Sequence, residues 1–227
     1  MFHPLDHPLE RGWVGRIEDD HVIHLAAQTL QSFFTGGGTA REHAVYPLDG
    51  VRLLVPVLHP PSIRIFDARD FFAFANPAAV VGPDATIRSA TGLLAFPRLA
   101  AVVAHDGVLG GFTVFVEWRR PGLGPPKDRD FALALGPAVL TPDTMDADLS
   151  FVVKVGGEER FRGVVDPFDW EAARDFAAEG TVLLPGDLLA GPPIGTVDTI
   201  RVDQIVDVEL TGIGVLRATT QRDGGSW

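Results

Sequence analysis

No cysteine occurs in this chain, which excludes disulfides and thiolate chemistry. Positive charge is scarce: 19 Lys and Arg stand against 30 Asp and Glu, a formal net charge of −11, with a sequence pI of about 4.9. A phosphate-binding face needs clustered Lys and Arg, so nucleic acid is not an expected partner. No apolar run approaches the roughly 20 residues of a membrane span, so no membrane partner is expected either. The opening residues, Met1-Phe2-His3-Pro4-Leu5-Asp6-His7, lack the basic-then-apolar pattern of a secretory leader. These absences leave a cytoplasmic protein as the expectation.

The 227 residues are 46% hydrophobic, enough to bury a full core in one or two domains. Strand signals outnumber helix signals. Residues 14–25 read as a hairpin turning at Glu18-Asp19-Asp20, and residues 51–57 as an apolar strand. A short helix over 26–34 would stop at Gly36-Gly37-Gly38. A short Pro-rich linker, His59-Pro60-Pro61-Ser62, follows. Apolar strands are then expected at 71–74, 99–105, 112–118, 138–140 and 149–155. One convincing helix remains, 169–179, with Asp169 as N-cap and Gly180 as stop. Its Trp170, Ala173, Phe176 and Ala177 fall on one face. There is no internal repeat.

Several blocks carry a resemblance. Leu183-Leu184-Pro185-Gly186-Asp187 is a turn feeding a strand, Gly191-Pro192-Pro193-Ile194-Gly195 is a stiff loop, and 206–216 reads VDVELTGIGVL. Upstream stand Pro60-Pro61-Ser62-Ile63-Arg64, the 76–83 block NPAAVVGP, the 111–118 block GFTVFVEW and the 128–137 block DRDFALALGP. In this order they resemble the fumarylacetoacetate hydrolase (FAH) family. The resemblance implies a β-dominated α+β protein. A small N-terminal αβ domain would span 1–58, a mixed β-roll or barrel catalytic domain 59–218, and a flexible tail 219–227. It also implies Mg2+ or Mn2+ held by the two glutamates of an "E-x-E" strand, the aspartate of an "ND" pair and an aspartate after the linker. Here Pro97 and Leu99 align with the glutamates, with Arg98 between them; Glu117 takes the "ND" position, and Ile65 takes the last, with Asp67 as a shifted substitute. With one carboxylate retained, no bound metal is expected unless the ligands align otherwise. The family's lid "H-x-x-E" has no counterpart between Ile65 and Asn76, and its lysine aligns with Arg129, with Lys127 close by. Its "GT" threonine falls on Pro192 or Pro193.

The resemblance therefore nominates Glu117, Arg129 and Lys127 as catalytic residues. Arg98, Arg119, Phe74, Asn76, Gly191, Pro192 and Pro193 would bind substrate. Glu117 reads either as a pocket acid or as a strand residue paired to Arg119 or Arg98. The Arg119, Arg120, Lys127 and Arg129 cluster reads either as a solvated loop or as a grip for an anion. His3, His7, His21 and His24 have spacings open to a metal, but hairpin and surface roles are commoner. The leading expectation is a metal-independent enzyme on a small oxo-acid or 1,3-dicarbonyl compound, by isomerisation, cyclisation, dehydration or decarboxylation. A catalytically silent binding protein and a Mg2+-dependent C–C hydrolase are the alternatives. A homodimer is expected, packing through the apolar strands at 112–116 and 149–155.

Overall fold

A computed structural model describes residues 1–9, 11–35, 39–145 and 149–223. The expected Gly36-Gly37-Gly38 stop and the last residues of the tail lie outside them. Within them the chain is strand-dominated, as expected for a β-rich α+β protein. Residues 14–25 form the expected hairpin, Gly15–Glu18 against His21–Ala26, with Asp19 turning at φ 51°. Thr39–Pro47 adds a third strand whose polar face gives little apolar alternation to read. The short helix covers only Leu30–Phe34, because Ala26 stays in the hairpin and Thr29 is the N-cap. Thr29 Oγ1 accepts from Ser32 N while Ser32 Oγ accepts from Thr29 N, a reciprocal capping box.

The core of the fold is the hairpin Leu93–Val103 and Leu109–Arg119, joined through Asp106-Gly107 at φ 54° and 73°. These strands are buried on both faces, so they read as continuous apolar runs rather than alternating ones. They sit inside an eight-stranded sheet in the order Phe71–Ala75, Ile63–Ala68, Leu188–Ala190, Leu93–Val103, Leu109–Arg119, Leu133–Leu135, Val80–Val81, with Val197–Ile200 also pairing Leu93–Val103. A five-stranded sheet packs against one face of it. Phe151, Val153, Val155, Val206, Val208 and Leu210 meet Leu99, Ala101, Phe112, Val114, Val116 and Trp118 in that seam.

The helix Trp170–Ala178 closes the seam with Ala173 and Ala177, its N-cap Asp169 accepting from Ala172 N at 3.0 Å. The apolar residues of 112–116 and 149–155, read from sequence as dimer surface, thus fill the chain's own core. The opposite face of the large sheet is covered by Val55, Val57, Leu30 and Phe34 from the N-terminal segment. The last strand, Gly214–Arg222, pairs through Arg222 with Ser89, so residues 219–222 belong to a sheet rather than to a tail. No helix among the described residues is long and apolar enough to cross a membrane.

Candidate functional site

The two central strands place the candidate residues. Their register sets Phe96 opposite Glu117, Arg98 opposite Phe115 and Leu94 opposite Arg119. Side chains alternate across a strand, so Phe96, Arg98, Glu117 and Arg119 share one face. Pro97 and Leu99, aligned from sequence with the missing glutamates, face the other side, where Leu99 joins the seam. The positions beside Glu117 are Phe96 and Arg98, one residue from the sequence assignment. Ile63 and Ile65 lie on this same face through their pairing with Leu188 and Ala190, and Asp67 follows in step. The apolar layer of this face ends at two charged residues with no exposed surface, Arg98 and Glu117.

Arg98 uses every hydrogen it has. Nε and Nη2 donate to Glu117 Oε2 at 3.2 and 2.9 Å, and Nη2 also reaches Asp67 Oδ1 at 3.1 Å. Nη1 donates to the carbonyls of Phe66 at 3.1 Å and Gly191 at 2.9 Å. The other Glu117 oxygen accepts from Arg119 Nε at 2.8 Å, with Arg129 Nη1 3.5 Å away. Both oxygens are thus engaged by guanidinium groups, the surroundings of an ion-paired carboxylate rather than of an acid among apolar walls. Burying such charges is costly, and a full set of hydrogen bonds is what makes it tolerable.

Arg119 and Arg129 reach the surface, with side chains 21% and 24% exposed. Arg119 lies 4.2 Å over the Phe96 ring and spends only Nε on Glu117, its terminal nitrogens making no hydrogen bond among the described residues. Arg129 is held by Asp128 through Nε at 3.1 Å and Nη2 at 3.0 Å. Those hydrogen bonds raise its pKa; burial opposes them, and the charges of Glu117, Asp128 and Asp67 add to the rise.

The remaining nominees divide. Gly191 is in the cluster through its carbonyl, and a Cβ there would lie 2.9 Å from the Trp170 ring, so a larger residue would have to push that ring aside. Asn76 is one step away: its Nδ2 donates to the Asp130 carbonyl at 3.2 Å while its Oδ1 caps Ala78 N. Pro192 and Pro193 border the site only by following Gly191 in the chain. Lys127, with a 75% exposed side chain, pairs with Asp130 at 2.6 Å, outside the Glu117 cluster. Phe74 is on the wrong face. It pairs with Arg64, whose guanidinium lies 5.4 Å from its ring, and the pleat points both away from Glu117.

Two acids escaped the sequence reading as partners. Asp67 had been only a shifted substitute, and its place two residues after Ile65 was the signal; Asp128 gave none. The family-like Asp187 serves a different network, accepting from Ser62 Oγ at 2.7 Å and Leu184 N at 2.8 Å, and lying 3.6 Å from Arg64. The nominated histidines belong to no metal-holding group among the described residues. His3 contacts the Pro4 carbonyl and His21 pairs with Asp20, while His24 stacks on Trp13 at 4.6 Å. The segment expected to have lost a lid is an antiparallel hairpin, Ile63–Ala68 with Phe71–Ala75.

No family model matches the chain, and no curated protein matches it in sequence. Solved structures do. Fumarylacetoacetate hydrolase from Exiguobacterium antarcticum matches with a TM-score of 0.76 at 20% identity, over 94% of this chain and 96% of that one. A 2-hydroxyhepta-2,4-diene-1,7-dioate isomerase from Mycobacterium marinum matches at 0.74 and 22% identity, covering 93% and 94%. The chain has the fumarylacetoacetate hydrolase fold. A third FAH-fold structure, maleylpyruvate hydrolase from Sphingobium sp. SYK-6 in complex with manganese(II) ion and pyruvate, matches at 0.74 and 18% identity, covering 94% and 97%.

The Glu117 face of this FAH-fold chain does not suit such an ion. Among the described residues no group of three or more His, Asp or Glu side chains is placed to hold one. Glu117 and Asp67, the two carboxylates bonded to Arg98, already accept from that guanidinium. A divalent ion about 4 Å from a guanidinium would meet a repulsion of roughly 8 kcal/mol at an effective dielectric constant of about 20.

Proposed function

We propose that this chain is an FAH-fold enzyme that binds a small oxo-acid or 1,3-dicarbonyl compound beside Glu117 and acts on it without a resident metal. The observation that carries this reading is the trio of guanidinium groups on one buried carboxylate, two of them open to solvent. Arg119 and Arg129 would hold the carboxylate and the carbonyl oxygen of the substrate, since planar guanidinium groups bind such pairs bidentately. Asp67, 58% exposed and bonded through one oxygen only, is the base best placed beside them. It would take a proton from the carbon next to the carbonyl. The enolate oxygen would be stabilised by the arginine N–H groups; in a substrate with a C=C next to the deprotonated carbon the enolate is a dienolate, and the proton would return at its far carbon as the double bond shifts, giving an isomerisation. Glu117 is then a positioning residue that aims the arginines, in place of the acid role expected from sequence. Lys127 and Phe74 have no part in it.

The test is calorimetric titration with 2-oxo acids and with their neutral esters. Acids should bind and esters should not, Arg129→Met and Arg119→Met should each weaken binding at least tenfold, and Asp67→Asn should bind but not turn over. Equal binding of acid and ester would contradict the reading. One observation favours the silent alternative: both Glu117 oxygens are already committed. Binding without any turnover across the panel would establish that alternative. The chain is further proposed to act in the cytoplasm as a homodimer, with no nucleic-acid or membrane partner.

A further inference from the structure

We infer that Arg98 does in this chain the work of a divalent cation, holding two carboxylates and two backbone carbonyls together and supplying fixed positive charge to the site. The inference rests on the Glu117 cluster being the functional site, yet its test needs no substrate. The Arg98 guanidinium is bonded by four oxygens: Glu117 Oε2, Asp67 Oδ1, Phe66 O and Gly191 O. They come from three separate stretches of chain, the Ile63–Ala68 strand, the Leu109–Arg119 strand and the loop after Leu188–Ala190. An all-oxygen set of carboxylates and carbonyls is what a hard cation selects. Here a covalently attached guanidinium fills it, has no exposed surface and leaves no donor unused.

A tethered cation differs from a metal in two ways. It cannot be removed by a chelator or exchanged, and it cannot bind substrate oxygen, because all its hydrogens are spent inside the cage. Its contribution is to align Glu117, and through Glu117 the Nε of Arg119, and to tie the Gly191 loop to the sheet. Substrate contact is left to Arg119 and Arg129. The cage is a cation site whose occupant is encoded in the sequence. Charge reversal at position 98 should turn it into a site for a free ion, since a third carboxylate would then face Asp67 and Glu117.

The experiment compares melting temperatures of the full chain in EDTA and in saturating Mn2+, with bound Mn2+ counted by elemental analysis. The wild-type chain should be indifferent to both and hold no stoichiometric ion. Arg98→Glu should melt lower in EDTA and recover by roughly 5–10 °C in Mn2+ at about a hundredfold excess over Kd. It should bind one ion per chain, and lose that binding when Glu117→Gln is added. Should Arg98→Glu not fold, Arg98→Met keeps the length without the charge. It should be clearly less stable than wild type and regain part of the loss in Mn2+. A wild-type chain that binds one Mn2+ through Glu117, a folded Arg98→Glu blind to Mn2+, or an Arg98→Met as stable as wild type would each overturn the inference. None of these readouts depends on catalysis, so failure of the proposed isomerisation would leave them interpretable.

Discussion

Replacing Glu117 by glutamine keeps the size and shape of the side chain and removes its charge. At an exposed carboxylate such a change would leave folding nearly intact. The structure reverses this, because Glu117 has no exposed surface and balances Arg98, which has none either. Breaking one partner of such a pair costs about 3–5 kcal/mol, mostly through the charge left buried. Asp67 still accepts from Arg98, and the glutamine oxygen can still accept from it, so the lower end, about 3 kcal/mol, is expected. In a chain of this size each kcal/mol moves the melting temperature by roughly 2–4 °C, giving a drop of about 6–12 °C. Calorimetry would measure it, with urea unfolding as the second probe: the midpoint should fall while the slope m stays fixed. A shift below about 2 °C would refute the reasoning, since it would mean that the Arg98–Glu117 pair carries no net weight.

Phe151, without exposed surface between the two sheets, should cost about 3–5 kcal/mol on substitution by alanine, checked by urea unfolding. The His24 pKa is lowered from 6.5, first by burial and then by the charge of His43. Below 6.5 the unfolded chain therefore takes the proton more readily than the folded one. Stability should fall as pH drops from about 7 towards the lowered folded value, and His24→Gln should remove that part of the pH dependence, while the lost stack on Trp13 lowers stability by the same amount at every pH. The proposed dimer should scatter light at about twice 24.4 kDa. Its surface cannot be the buried strands at 112–116 and 149–155. Phe71 and Phe74, 62% and 69% exposed on the edge strand Phe71–Ala75, are the residues whose change to serine should weaken association.

The elements legible in the sequence were those specified locally. The 14–25 hairpin has its acidic turn, and the helix Trp170–Ala178 has its Asp169 cap and apolar stripe. The site was legible as a neighbourhood: Arg98, Glu117, Arg119 and Arg129 stand near the family-like blocks and do converge. What the residues could not say was which face each one takes. A slip of one residue moves every side chain to the other side of a strand. Residues 99–103 are buried on both faces, leaving no alternation to set the register, so Pro97 and Leu99 stood where Phe96 and Arg98 belong. Phe74 was misplaced because its strand reads Phe-Phe-Ala-Phe-Ala, apolar throughout and without alternation, although it is largely exposed. The state of Glu117 depended on contacts far away in sequence, Arg98 on the neighbouring strand and, through Arg98, Gly191 in a distant loop. The apolar runs at 112–116 and 149–155 suggested open surface because nothing local shows that two sheets will close over them.

In the proposed reaction the guanidinium cluster, and no divalent ion, supplies the positive charge for proton transfer next to a carbonyl. Proton NMR in D2O measures this directly, by following solvent deuterium entering carbon 3 of 2-oxo acids in the presence of the EDTA-treated chain. Exchange above the uncatalysed rate is expected in EDTA, unchanged by added Mg2+ or Mn2+ and lost in Arg129→Met. Exchange that vanishes in EDTA and returns with either metal would contradict it.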